Sequence, residues 1–279
     1  TKEKKLKAGN EANKSSIKRR KSLYEGFDEK QDLFRPEYRF NNNDPVKEKM
    51  WSLMDTYLKR DVLSVQKSIV QHIEFTLSKT RFDINSQYLF QGTALSVRDR
   101  LLEQWNDTQI FIKMNNPKKI YYLSIEFLLG RLLQNALVCL DLETCYKDAL
   151  NEFGIKIEEI YEEENDPALG HGGLGRLAAC YIDSMATLNL PAWGYGIRYD
   201  YGIFRQAIQN YEQKEFPDYW LTKGNPWEIM RLDTQFKVRF YGYCKDTSKN
   251  GKECREWVGG EEVIAVEAKI GRASCRERV

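Results

Sequence analysis

Apolar residues fall at helical spacing through the first half of the chain and at strand spacing through the second. Val62, Val65, Ile69, His72, Ile73 and Leu77 form one stripe of a helix, which the Asp44-Pro45 pair is expected to open as N-cap and first turn. His72 lies on that stripe and reads as a packed histidine rather than a ligand. A second helix is expected from about Ser86 to Lys113, with Leu95, Val97, Leu101, Leu102, Trp105, Ile110 and Ile112. The short apolar run Ile120–Ile125 follows Pro117 and reads as a buried parallel strand. Helices are expected over Leu132–Leu140, Leu142–Phe153 and Ile157–Glu164. Pro191–Tyr199 reads as a second core strand, with Tyr201–Ile208 turning back as its hairpin partner. Phe236–Tyr243 alternates with period two, as a half-buried strand does. Lys245–Glu256 is then a charged hairpin loop, with Trp257-Val258 and Val263–Glu267 returning. The order predicts an α/β fold with a mostly parallel sheet, including Ile120–Ile125 and Ala192–Arg198, flanked by helices.

Between the acidic segment Ile157–Asn165 and the second core strand lies the densest glycine cluster, Gly170, Gly172, Gly173 and Gly175. Helical periodicity starts at once behind it, with Leu174, Leu177, Ala178, Tyr181, Ile182, Met185 and Leu188 on one face. A glycine loop that opens a helix offers free N–H groups and the positive dipole end, a site for phosphate. The same spacing also suits a tight turn packed on a sheet, and spacing alone does not separate the two. A Walker loop is excluded because no Gly-Lys-Ser/Thr follows. A dinucleotide fingerprint lacks its preceding strand and its later acidic residue. Glu126, at the end of the first strand, stands where open α/β sheets bind ligands; pairing with Arg131 or Arg176 is the other use open to it.

Composition narrows the classes. The 43 Lys+Arg against 41 Asp+Glu give no overall nucleic-acid or membrane-surface signature. No apolar run approaches the roughly 20 residues of a membrane helix, and residues 1–22 lack the apolar core of a signal peptide. The cysteines, Cys139, Cys145, Cys180, Cys244, Cys254 and Cys275, form no C-x-x-C pair. With two histidines no zinc cluster is expected, and the thiols are expected to be reduced in a cytoplasmic protein. Residues 1–44 read as a disordered basic tail, in which Ser22 follows Lys18-Arg19-Arg20-Lys21, a context suited to kinases.

The stretch from Asp166 to Leu188 resembles the glycine loop of the glycogen/starch (α-glucan) phosphorylases. The resemblance continues through Pro191–Gln206, Asp218–Leu221 and Gly224–Glu228, and upstream through Lys119–Arg131 and Leu133–Leu137. It implies the N-terminal, Rossmann-like half of a GT-B type glycosyltransferase that uses pyridoxal 5′-phosphate. The implied reaction is phosphorolysis of an α-1,4-glucan by inorganic phosphate to glucose 1-phosphate, in a cytoplasmic homodimer. It places Gly172, Gly173, Leu174, Glu126 and His171 at the cofactor and phosphate pocket. His171 stands where the family usually has asparagine. Trp105 and Gln109 match an effector-site pattern, whereas Ile110 and Lys113 replace its glutamine and its stacking tyrosine. Ser22 is a candidate for the tail phosphoserine of animal members. No metal is implied.

The lysine that attaches pyridoxal lies far downstream in the family, so residues 45–269 read as an incomplete domain, inactive alone. Residues 270–279 depart from the family abruptly, and their coding sequence can be written as a sequencing-adapter string. They are expected to be a non-native tail. The competing reading is a non-catalytic regulatory or carbohydrate-binding module with the same half-fold.

Overall fold

The computed structural model describes residues 59–247 and 254–270, with Lys49 in addition. The basic tail with Ser22, the Asp44-Pro45 helix start and residues 271–279 lie outside the described residues.

A helical layer forms the core. Helix α1 spans Val62–Gln71, and its Asp61 cap accepts from Ser64 N at 3.0 Å. A π-helical turn, His72–Thr76, carries the stripe on to Ile73. Helix α2, Ser86–Asn115, starts at Asn85, which accepts from Tyr88 N at 2.9 Å. It ends in a left-handed Asn116. Phe90, Ala94, Val97 and Leu101 line its buried side. Gly92 lets α2 approach α1 closely, since a Cβ there would meet Ile73 Cγ1 at 2.6 Å. Helices α3 (Leu133–Leu140), α4 (Glu143–Asn151) and α5 (Ile157–Glu162) close the core with Leu133, Leu137, Tyr146, Leu150, Ile157 and Ile160. His72 is packed as expected, with Nε2 2.9 Å from Asp99 and Nδ1 3.0 Å from Thr76 Oγ1.

Arg100 and Tyr146 are buried together. The guanidinium donates to Ser96 O at 2.9 Å and to the Tyr146 hydroxyl at 3.1 Å. Burial pushes the Tyr146 hydroxyl up to about 12.

Among the described residues the strands do not make one mostly parallel sheet. The described residues hold four two-stranded sheets, and only β1 (Ile120–Leu123) with β2 (Ala192–Tyr195) is parallel, in the register Ile120 to Ala192. The segment expected to be buried is open: Tyr121 is 54% exposed, Leu123 77% and Ile125 57%. A short apolar run reports what a strand is made of, while burial needs a second layer, and the described residues supply cover on one side only. Tyr201–Ile208 also pairs differently. Strand β3, Gly202–Gln209, runs antiparallel to β4, Glu212–Asp218, not to β2. The local cause is the turn Asn210-Tyr211, whose φ values of 52° and 63° suit a two-residue hairpin. Strand β5, Glu228–Phe240, pairs with β8, Glu261–Ile270, and between them β6 (Tyr243–Asp246) pairs with β7 (Arg255–Val258). Phe236 and Phe240, expected to be half-buried, are exposed.

One buried carboxylate joins these parts. Both Glu164 oxygens accept from the start of α3: Leu132 N and Leu133 N, each at 2.9 Å. Trp227 Nε1 donates to Glu164 Oε1 at 2.9 Å. Helix α3 has no cap from its own N-terminal side chain, so Glu164 serves as its cap from 31 residues away. Burial pushes the carboxyl above its ordinary value, against the three donors that favour the charged form. Glu164→Ala would leave three enclosed N–H groups without their acceptor. At about 1–3 kcal/mol for each, the expected loss is at least about 3 kcal/mol, read as a fall in the denaturant midpoint.

Candidate functional site

The main chain from Ser124 to Leu128 leaves β1 and passes between the glycine loop and the end of β2. Ser124 N donates to Tyr195 O at 3.0 Å, Phe127 N to Leu169 O at 2.9 Å, and Leu128 N to Gly175 O at 3.0 Å. Contact this close requires glycine on the facing elements. A Cβ on Gly170 would meet Phe127 N at 2.8 Å, and one on Gly175 would meet Leu128 N at 3.3 Å. From the other side, Gly194 and Gly196 make room for the Phe127 ring, at 3.0 Å and 2.9 Å from their notional Cβ atoms. Tyr122 packs edge-on to Phe127 and also meets Tyr181 of the following helix, at centroid distances of 6.0 Å and 5.6 Å. The Tyr199 hydroxyl donates to Ile125 O at 3.0 Å.

Helix α6 spans Gly172–Thr187. Its first residue has φ +58°, where a side chain would be strained, and space is open at both Gly172 and Gly173. The two readings of the glycine cluster therefore divide between its members. Gly170 and Gly175 are packing glycines; Gly172 and Gly173 face outward at the helix start. The first-turn N–H groups of an α-helix have no partner within the helix, and here no side chain caps them.

Glu126 stands at this helix start. Its Oε2 accepts from His171 N at 3.2 Å and lies 3.1 Å from His171 Nδ1. Arg131, an expected partner for Glu126, pairs with Glu162 instead, at 3.0 Å and 3.2 Å. The Arg131 guanidinium is held above its ordinary value by that bond and Glu162 below its own. Glu126, His171, Gly172, Gly173 and Leu174 are thus brought together. A neutral imidazole can donate or accept one bond there; a protonated one offsets the carboxylate charge at the mouth of the helix.

Trp105 and Gln109 lie elsewhere. With Leu101, Ile112, Trp193 and Trp227 they line a mainly apolar cavity of about 170 Å³. Ala186, Asn189 and Leu190 bring the far end of α6 to the same cavity. Sixteen residues of helix, about 24 Å, separate it from the glycine loop.

The apolar stripe of α6 is only partly covered: Ala178 is buried and Ile182 half-buried, while Leu174, Leu177 and Leu188 are exposed. Two residues that place the site escaped the sequence reading. Phe127 sits inside an apolar run and has no mark of its own. Glu164 resembles its acidic neighbours, but it follows the buried Ile157 and Ile160 at helical spacing, two residues past the end of α5. Among the described residues no group of three His, Cys, Asp or Glu could hold a metal, and no helix is long and apolar enough to cross a membrane.

The glycines give a direct comparison. Gly170→Ala presses a methyl into main chain and is expected to cost about 1–3 kcal/mol. Gly173→Ala meets open space and should change stability by less than about 1 kcal/mol. Thermal melts of the two variants check the pair; equal losses would mean that the loop is packed throughout.

The chain is similar to proteins of known activity. A family model described as carbohydrate phosphorylase matches residues 150–276. Glycogen phosphorylase 2 of Dictyostelium discoideum is 48% identical over 218 residues, covering 78% of this chain and 22% of that protein. The H isozyme of α-glucan phosphorylase from Solanum tuberosum is 49% identical over 211 residues, 75% of this chain and 25% of the relative. Glycogen phosphorylase of Saccharomyces cerevisiae is 45% identical over 217 residues, 72% of this chain and 24% of the relative. The chain thus spans about a quarter or less of the length of the curated relatives it matches. On this similarity the chain belongs to the carbohydrate phosphorylase family.

Proposed function

We propose that this chain is part of an α-1,4-glucan phosphorylase, and that it supplies one wall of the phosphate pocket. The observation that carries the reading is the start of α6: Gly172 and Gly173 open to space, with Glu126 and His171 beside them. In the reaction, a phosphate oxygen forms a bond to C1 of the terminal glucose, the bond from C1 to the glucan oxygen breaks, and that oxygen takes a proton. Glucose 1-phosphate leaves with its configuration retained.

Phosphate brought to a sugar needs positive potential that does not move during the step. The N–H groups of Gly172, Gly173 and Leu174 and the dipole of α6 offer it without a mobile side chain. Glu126 opposes an anion there unless its charge is shared, and the His171 main-chain N–H, which donates to its Oε2, takes part of that charge. The same open backbone fits the phosphate of pyridoxal 5′-phosphate, which in this reading supplies a proton donor and acceptor to the substrate phosphate. The attaching lysine belongs to the longer protein.

The reading extends to the whole protein. The parallel pair β1–β2 is taken as the seed of the parallel sheet of a GT-B type half, with the protein dimeric and cytoplasmic. Residues 45–269 are taken as its incomplete N-terminal domain. Trp105 and Gln109 are taken as the remnant of an effector site and Ser22 as a phosphorylation site.

An assay for glucose 1-phosphate tests the proposal. The 279-residue chain should give no turnover with glycogen and phosphate, while a longer product of the same gene should be active. In that longer enzyme Gly173→Ala is expected to raise the phosphate KM about tenfold, equivalent to about 1.4 kcal/mol, with little change in melting temperature. A longer product that binds glucan but never releases glucose 1-phosphate would favour the non-catalytic module.

A further inference from the structure

A second polar site lies away from the glycine loop, where the start of α2 meets the loop before β5. A cavity of about 20 Å³ is lined there by Gln87 and Phe90 of α2, by Glu164 and Pro167, and by Trp220 and Asn225. Two side-chain atoms in its lining, Gln87 Oε1 and Asn225 Nδ2, are shut off from solvent and have no partner among the described residues. The Asn225 amide cannot simply turn over. Asn225 Oδ1 accepts from Trp227 N at 3.0 Å, which fixes the amide and leaves Nδ2 inside. The same α2 face grips the loop on both sides of Asn225: Gln91 Nε2 donates to Lys223 O at 2.6 Å and Arg98 Nη1 to Pro226 O at 3.0 Å.

We propose that this cavity is a binding site for a single water molecule, which accepts from Asn225 Nδ2 and donates to Gln87 Oε1. The two orphaned atoms define the ligand. It must accept on one side and donate on the other, which excludes a halide, with no proton to give, and an ammonium ion, with no lone pair to offer. About one water-sized sphere needs roughly 10–15 Å³, so the space takes one heavy atom and excludes any larger hydroxyl compound. The water completes a row of three ties between α2 and residues 223–226, and so holds Trp227 in register for its bond to Glu164.

A crystal structure of the unmodified chain, at a resolution that shows ordered solvent, is the test. The expected result is a density peak within hydrogen-bond distance of both Gln87 Oε1 and Asn225 Nδ2. Two results overturn the proposal: a direct bond between the two side chains, or a dry cavity. Water–protein cross-relaxation in solution gives a second reading. The Asn225 side-chain amide should contact a long-lived water, and Gln87→Met, which removes the acceptor but keeps the length, should abolish that contact. An unchanged water contact in Gln87→Met would show that Gln87 does not hold it, and would also overturn the proposal.

Discussion

The passage of Phe127 and Leu128 between two glycine-bearing elements is the constraint on which the site depends. Hydrogen bonds from their N–H groups to Leu169 and Gly175 fix the loop from both ends. A strand end, a loop and a helix start are thereby held as one piece, and Glu126 reaches the start of α6 because its own main chain is locked there. The glycines at 170, 175, 194 and 196 are the sequence form of this constraint. Each marks a place where main chain or a ring comes so close that a Cβ would make its neighbour shift.

Much of the helical part was legible from the chain alone. The stripe from Val62, the long helix from Ser86 and the helix behind the glycine loop follow from 3.6-residue spacing, which is local; the caps Asp61 and Asn85 that start the first two were not read from the chain. Ile120–Leu123 and Ala192–Tyr195 were also readable as strands, from two short apolar runs, although their pairing with each other was not. Pairing of Gly202–Gln209 depended on the turn at Asn210-Tyr211, where neither residue is the glycine such turns favour. Burial was the hardest to read. Periodicity shows which face of α6 is apolar, yet cover for Leu174 or Leu177 is a matter of tertiary partners.

At the site, residue types pointed to the place more readily than to the arrangement. The glycine cluster and Glu126 stood out, but the sequence could not say which glycines packed and which stayed open. His171 looked like a departure from a family pattern; in the fold it is the partner of Glu126. Glu164 was hidden by the like charges around it. Its role rests on three donors that come from residues 31 to 63 positions away.

The open parallel pair has a practical consequence. Each of β1 and β2 pairs on one side only among the described residues, and the strands carry exposed Tyr121, Leu123 and Tyr195 beside the uncovered leucines of α6. Unpaired strand edges next to apolar surface are templates for self-association. A sedimentation or gel-filtration measurement on this chain by itself would therefore register the stickiness of these edges. Any subunit contact of a longer protein has to be measured with that surface covered.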